Sequence, residues 1–202
     1  MMRAMLTLTC VFVVAALPAV AQAASCSGCK AVREKGEGFC CGKGIAFGVD
    51  LTSQKLYEAL AGKKVNPDEM KCPGCRSAAE ANGVCKHCKT GVVEGKVYQS
   101  VVAYALAKGK PVSHKEVAGC GGCIGCETAH ADNGLCPYCK VGFVGGRMFG
   151  TEEDYQAALA AHKTLVEAAK IAKQCETCAV AMVTDGKCSA CGIGFTGGKK
   201  SE

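Results

Sequence analysis

Three segments of the chain share one spacing, C-x2-C-x9-C-x2-C: Cys72/Cys75 with Cys85/Cys88, Cys123/Cys126 with Cys136/Cys139, and Cys175/Cys178 with Cys188/Cys191. A fourth segment, at the front, opens with Cys26/Cys29 but closes on adjacent Cys40 and Cys41, within "GFCCGKG". The register continues beyond the cysteines. Three residues past the last cysteine of each unit lies a glycine: Gly44, Gly91, Gly142, Gly194. Seven past it lies another: Gly48, Gly95, Gly146, Gly198. Sixteen past it, the first three units place a tyrosine: Tyr57, Tyr104 and Tyr155. Self-similarity at a period of about fifty residues marks a tandem array, whose fourth copy stops before its tyrosine.

This chain is poor in large core residues and is expected to need another source of stability. It has 202 residues, 18 of them Cys and 26 Gly, with 5% aromatics and no Trp. Small units so poor in bulky side chains take their stability from metal sites or disulfides. After its cysteines, each unit carries a short apolar hairpin, as in "GVVEGKVY" and "GFVGGRMF". Glu94-Gly95 and Gly145-Gly146 stand where a tight turn needs positive φ. A helix follows each hairpin. Thr52 or Ser53 caps the first and Gly62 stops it; Ser100 and Gly109 do the same for the second. The third opens on Thr151-x-x-Asp154, a capping-box pattern, and runs long. The recurring tyrosine is expected to pack helix against hairpin. The expected fold is a small metal-stabilised α+β repeat protein, with four zinc-ribbon-like, four-cysteine hairpin modules joined by helices. Its divisions are a leader over 1–23, a degenerate module with helix over 24–65, and a module with helix over 66–117. A module with a long helix follows over 118–173, then a truncated module over 174–202.

The leader, "MMRAMLTLTCVFVVAALPAVAQAASC", has Arg3, an apolar run from about Met5 to Val20, and Ala21-Gln22-Ala23 as an A-x-A cleavage site. It reads as a secretory signal peptide, its apolar run being short for a membrane span. Export to the periplasm or the extracellular space is the expectation, with no transmembrane segment after cleavage. The other readings of this leader are lipidation at Cys26 and an uncleaved anchor. Cleavage after Ala23 removes Cys10 and leaves 17 cysteines.

C-x-x-C turns bring two thiolates to one centre, and two facing turns complete a four-sulfur site. The glycine after each second pair (Gly91, Gly142, Gly194) is expected to supply a sharp exit turn, and the nine-residue spacer a loop. "CPGC…GVCKHCKTG", "CIGC…GLCPYCKVG" and "CETC…GKCSACGIG" resemble the short zinc ribbons of bacterial proteins. The resemblance covers about eighty residues and implies up to four zinc ions. The ligands would be Cys26, Cys29, Cys40 and Cys41; Cys72, Cys75, Cys85 and Cys88; Cys123, Cys126, Cys136 and Cys139; and Cys175, Cys178, Cys188 and Cys191. The "CC" of the first unit leaves open which of Cys40 and Cys41 ligates. Iron or copper remains an alternative metal. Disulfides are the default for an exported protein, but an odd cysteine count and strained i,i+3 pairs speak against a purely structural set. Thiol–disulfide exchange through the C-x-x-C pairs is the rival function. Cys136-Pro137-Tyr138-Cys139 matches the glutaredoxin tetrad, but hairpin sequence follows it where that family has a helix.

The formal charge of +6 suggests an acidic partner. Losing Arg3 leaves +5, and four zinc tetrathiolate sites at −2 each bring the loaded chain to −3. Nucleic acid is therefore not the expected partner; an unknown protein is, and a small-molecule substrate is not expected. Lys30, Lys71, Arg76, Lys86, Lys89, Lys140, Lys173 and Lys187 flank the cysteines, either offsetting thiolate charge or simply solvated. Cys120, in "GCGGCIGC", stands outside the shared register as an alternate ligand, a free thiol or an intermolecular bridge. No nucleophile–base pair, acidic dyad or phosphate loop is visible. The expected function is a structural or protein-interaction scaffold, with metal storage as a variant.

Overall fold

The computed structural model of the chain describes residues 26–118 and 123–201. The leader with Cys10, and Cys120, lie outside these residues. Each unit begins with a short helix that starts at its first cysteine pair: α1 Ser27–Lys35, α3 Pro73–Glu80, α6 Ile124–Asp132 and α8 Glu176–Thr184. The spacer between the pairs is therefore mostly helix rather than the expected loop. Asn82, Asn133 and Asp185 end three of these helices in the left-handed region, at φ 48°, 53° and 51°. A short polar side chain tolerates that conformation. Each side chain then reaches forward to its own hairpin: Asn82 Oδ1 accepts from Glu94 N–H at 2.8 Å, and Asn133 Oδ1 from Gly145 N–H at 2.6 Å. Asp185 Oδ1 accepts from Gly198 N–H at 3.4 Å.

The hairpins are β2 Lys43–Ala46 with β3 Val49–Leu51, β5 Gly91–Val93 with β6 Lys96–Tyr98, β8 Gly142–Val144 with β9 Arg147–Phe149, and β10 Gly194–Thr196 with β11 Lys199–Ser201. All four turn on two residues with positive φ, Phe47-Gly48, Glu94-Gly95, Gly145-Gly146 and Gly197-Gly198. This matches the right-handed twist of the strands. In the first unit, β1 Gly38–Cys40 adds a strand beside β2. In the middle two units the added strand comes from the preceding unit. β4 Lys63–Lys64 pairs with β6, and β7 Lys110–Pro111 pairs with β9.

The linking helices are α2 Gln54–Leu60, α4 Val101–Ala107 and α7 Glu152–Ile171; a short α5, His114–Ala118, precedes the third cysteine unit. Ser53, Ser100 and Thr151 cap the three linking helices, each side-chain oxygen accepting from the N–H three residues on. Ser100 is buried and its hydroxyl also donates to Val183 O at 2.7 Å, tying α4 to α8.

The core is assembled by α2, α4, α7 and α8. On α7 and its C-cap, Ala158, Ala161, Leu165, Ala168 and Ala172 recur at three- and four-residue steps and form one buried stripe. Four of the five are alanines, which lets neighbouring helices approach closely. Leu56 and Leu60, then Val102 and Leu106, then Met182 and Val183 fill the space around the stripe.

The repeated glycines and tyrosines meet here. A Cβ on Gly91 would lie 2.0 Å from the Tyr104 ring, and one on Gly142 would lie 2.3 Å from the Tyr155 ring. These glycines, and Gly194, do not have positive φ. Gly91 and Gly142 are required by close approach of a ring and Gly194 by the Ser201 side chain, not by the sharp exit turn expected from sequence. The first unit differs: Gly44 faces Phe39, and Tyr57 stacks on Phe39 at 5.7 Å between centroids.

Candidate metal centres

The second cysteine pair of each later unit sits in a tight turn just before its hairpin. Cys85 N–H donates to Thr90 O, and Lys89 N–H returns to Cys85 O; Cys136 with Lys140 and Cys188 with Gly192 repeat the pattern. The residue after the last cysteine makes the turn, with Lys89, Lys140 and Gly192 at φ 53°, 58° and 69°, and Gly42 of the first unit at 74°. This closed turn points an N–H at the first sulfur of the pair. Cys88 N–H donates to Cys85 Sγ at 3.4 Å, Cys139 N–H to Cys136 Sγ at 3.4 Å, and Cys191 N–H to Cys188 Sγ at 3.3 Å. In the first unit the equivalent bond lies in the first pair, Cys29 N–H to Cys26 Sγ at 3.4 Å.

The first pair faces this turn from a helix N-terminus, its leading cysteine in the cap position. Residues not singled out from the sequence make the approach possible. A Cβ on Gly28 would lie 2.7 Å from Cys40 Sγ, and Cβ atoms on Gly74 and Gly125 would each lie 3.0 Å from Cys85 Sγ and Cys136 Sγ. The fourth unit has Thr177 at that position, and its Oγ1 lies 3.2 Å from both Cys175 Sγ and Cys188 Sγ. The C-x-G-C pattern of three units and the N-G or D-G pair six residues before the last cysteine were the signals for these positions.

All sixteen cysteines assigned from sequence fall into the four expected groups, and within each group the sulfurs lie within 4.8 Å of one another. Both Cys40 and Cys41 belong to the first. A tetrahedral ion with sulfurs at about 2.3 Å requires sulfur–sulfur edges of about 3.8 Å. The three later groups lie close to this value: Cys72–Cys85 is 3.8 Å, Cys123–Cys136 and Cys126–Cys139 are 3.7 Å, Cys123–Cys139 is 3.6 Å, and Cys175–Cys188 and Cys175–Cys191 are 3.9 and 3.8 Å. The first is tighter, with Cys26 at 3.3 Å from Cys40 and 3.4 Å from Cys41. These separations far exceed the roughly 2.05 Å of a disulfide, and all sixteen thiols are free. The donor sets thus fit a thiophilic metal ion.

Electrostatics point the same way. The Cys29 N–H bond lowers the Cys26 thiol to about 6. The Cys88 and Cys139 N–H bonds lower Cys85 and Cys136 to about 7. Cys188 falls to about 6 through the Thr177 hydroxyl and the Cys191 N–H. Their neighbours move the other way: hydrogen bonding to Cys26 raises Cys40 to about 12, and bonding to Cys75 and Cys72 raises Cys88 to about 12. Burial raises Cys126. Within such a group one anion is stabilised and keeps protons on others; a divalent cation supplies the charge that lets four thiolates coexist.

The clusters differ in their settings. Cys85, Cys126, Cys136, Cys178 and Cys188 are buried among apolar side chains, whereas no cysteine of the first cluster is buried. All eight flanking cations are exposed, and Lys30 pairs with Glu34 at 3.9 Å on the surface. His87 sits exposed in its turn. His162, on α7, is half-buried against the first hairpin turn; burial lowers its pKa, opposed by a hydrogen bond with the Phe47 backbone. No helix among the described residues is long and apolar enough to cross a membrane. Comparison with protein-family models, curated proteins and solved structures gave no match.

Proposed function

We propose that this chain is an exported, non-catalytic scaffold of four tandem four-cysteine modules, each holding one zinc ion through the sulfurs of its cluster. The observation that carries this reading is the tetrahedral sulfur spacing in the three later clusters. Zinc suits four thiolates in a closed tetrahedral site without redox chemistry. The ion would hold helix N-terminus and hairpin together, so that binding free energy becomes folding free energy. A protein partner is the expected client of the loaded array, whose surface would carry a modest negative charge. Export follows from the leader, with the periplasm or extracellular space as destination.

A second reading is favoured by one observation: Cys72 and Cys75, Cys123 and Cys126, and Cys175 and Cys178 open helices. A C-x-x-C pair at a helix N-terminus is the setting in which thiolates are activated for thiol–disulfide exchange. Elemental analysis with thiol counting, on protein isolated from its own compartment, separates the two. The scaffold should carry close to four zinc ions, with its cluster thiols unreactive until chelated. Less than one metal per chain, with thiols oxidised or cycling against an added dithiol, would overturn it in favour of exchange.

A further inference from the structure

We propose that the first cluster, Cys26/Cys29/Cys40/Cys41, is a metal-exchange site that loads and unloads a thiophilic ion, while the other three are permanent. This rests on the metal-binding reading above and divides the four sites into two classes.

Three independent observations carry it. The first is burial. Cys26 and Cys41 are exposed and Cys29 and Cys40 half-buried, whereas each other cluster contains at least one buried cysteine. Those buried cysteines are members of apolar cores: Cys85 with Val92, Cys136 with Phe143, and Cys178 and Cys188 within the main helical core. Releasing metal there would loosen the core. The first cluster has no such tie, and α1 carries no buried residue. The second is geometry. Adjacent Cys40 and Cys41 compress the sulfurs to 3.3–3.5 Å, short of the edge of about 3.8 Å that a tetrahedral site needs. An ion at ordinary zinc–sulfur distances therefore requires these sulfurs to spread apart, a cost the later clusters do not carry. The third is access. A groove of about 370 Å³ runs beside Cys29 and Cys40, flanked by Arg33 and Lys43 against a single acidic residue, Asp50. It admits a small anionic thiol to the side of the cluster.

Exchange here needs no oxidant. The incoming thiolate bonds to the ion as one cysteine sulfur leaves. The leaving thiolate takes the proton shed by the incoming thiol, and the oxidation state of the ion is unchanged.

The test uses the full purified chain loaded with zinc and challenged with the weak chromophoric chelator 4-(2-pyridylazo)resorcinol, with and without reduced glutathione. One equivalent should leave at least ten-fold faster than the other three, and glutathione should speed that phase alone. Cys26→Ser and, independently, Cys41→Ser should abolish the fast phase and leave the three slow equivalents. A brief iodoacetamide pulse on the loaded wild-type chain should label Cys26, Cys29, Cys40 and Cys41 before the other twelve cluster cysteines. Release of four equivalents in one phase, or persistence of the fast phase in both variants, would overturn the proposal. Loading of only three equivalents would overturn it too, yet leave the metal reading standing. Loading of less than one would sink both.

Discussion

At the front of the chain, four sulfurs crowd together between the start of a helix that buries nothing and the end of strand β1. At the back, Cys188 is 2% exposed and shares a core with Leu56, Leu106 and Leu165. Both groups come from one repeated motif. The difference lies in what each helix meets. The apolar helix α8 packs against α2, α4 and α7, whereas among the described residues α1 packs mainly on the strands of its own unit, β1 and β2. Duplication supplied four similar donor sets, and tertiary context made one of them peripheral and another part of the fold's centre.

This contrast can be broken most directly by removing one sulfur from each end. Cys188→Ser leaves an incomplete site inside the main core and should cost at least as much as a large-to-small core change, about 2–5 kcal/mol. Cys26→Ser should cost clearly less. Thermal denaturation of the zinc-loaded variants measures both, and equal losses would erase the distinction. Leu165→Ala should lower stability by a similar amount, about 2–5 kcal/mol, because Leu165 is fully buried on α7. It should slow none of the first cluster's chemistry, which chelator kinetics would reveal. Gly142→Ala drives a methyl to within 2.3 Å of the Tyr155 ring and should cost about 1–3 kcal/mol by overpacking. Chemical denaturation would detect this, and an unchanged midpoint would mean that Tyr155 moves freely.

The smallest effect concerns pH. Burial holds His162 below its ordinary pKa, so the folded state favours the neutral ring. Below an unfolded pKa of about 6.5, the unfolded chain binds the proton more readily. Stability is therefore fully present above that pH and falls as pH drops toward the folded pKa. Melting temperature should decline less steeply in His162→Gln than in wild type between pH 7 and pH 5.5, with metal content monitored to separate out thiol protonation.

Much of the chemistry was legible in the sequence because it rests on short-range spacing. The cysteine groups, the positive-φ turn at Glu94-Gly95 and the caps at Ser53, Ser100 and Thr151 are local features, and local physics fixes them. The helices between cysteine pairs were not legible. "RSAAEANGV" and "ETAHADNGL" are too short to display a helical period. Their clearest marker was the left-handed Asn that ends each one, Asn82 and Asn133. Gly91 and Gly142 were recognised as significant but for the wrong cause, since the ring that excludes a side chain there arrives from thirteen residues away. Nor could spacing alone distinguish the first cluster's setting from the fourth's, which is decided by helices distant in sequence.

The two-residue strands β4 and β7 carry a consequence for how such an array can change. Each belongs to one unit by chain position and to the next by hydrogen bonding. Gly62 and Gly109 sit at the same junctions, each against an aromatic ring of the following hairpin, Tyr98 and Phe149. A cut at the cysteine boundaries would strip a strand from one hairpin and leave another with nothing to pair. The unit that could be deleted or duplicated without tearing a sheet runs instead from just after one hairpin to the end of the next. Growth or loss in this lineage should respect that offset frame rather than the one the cysteines suggest.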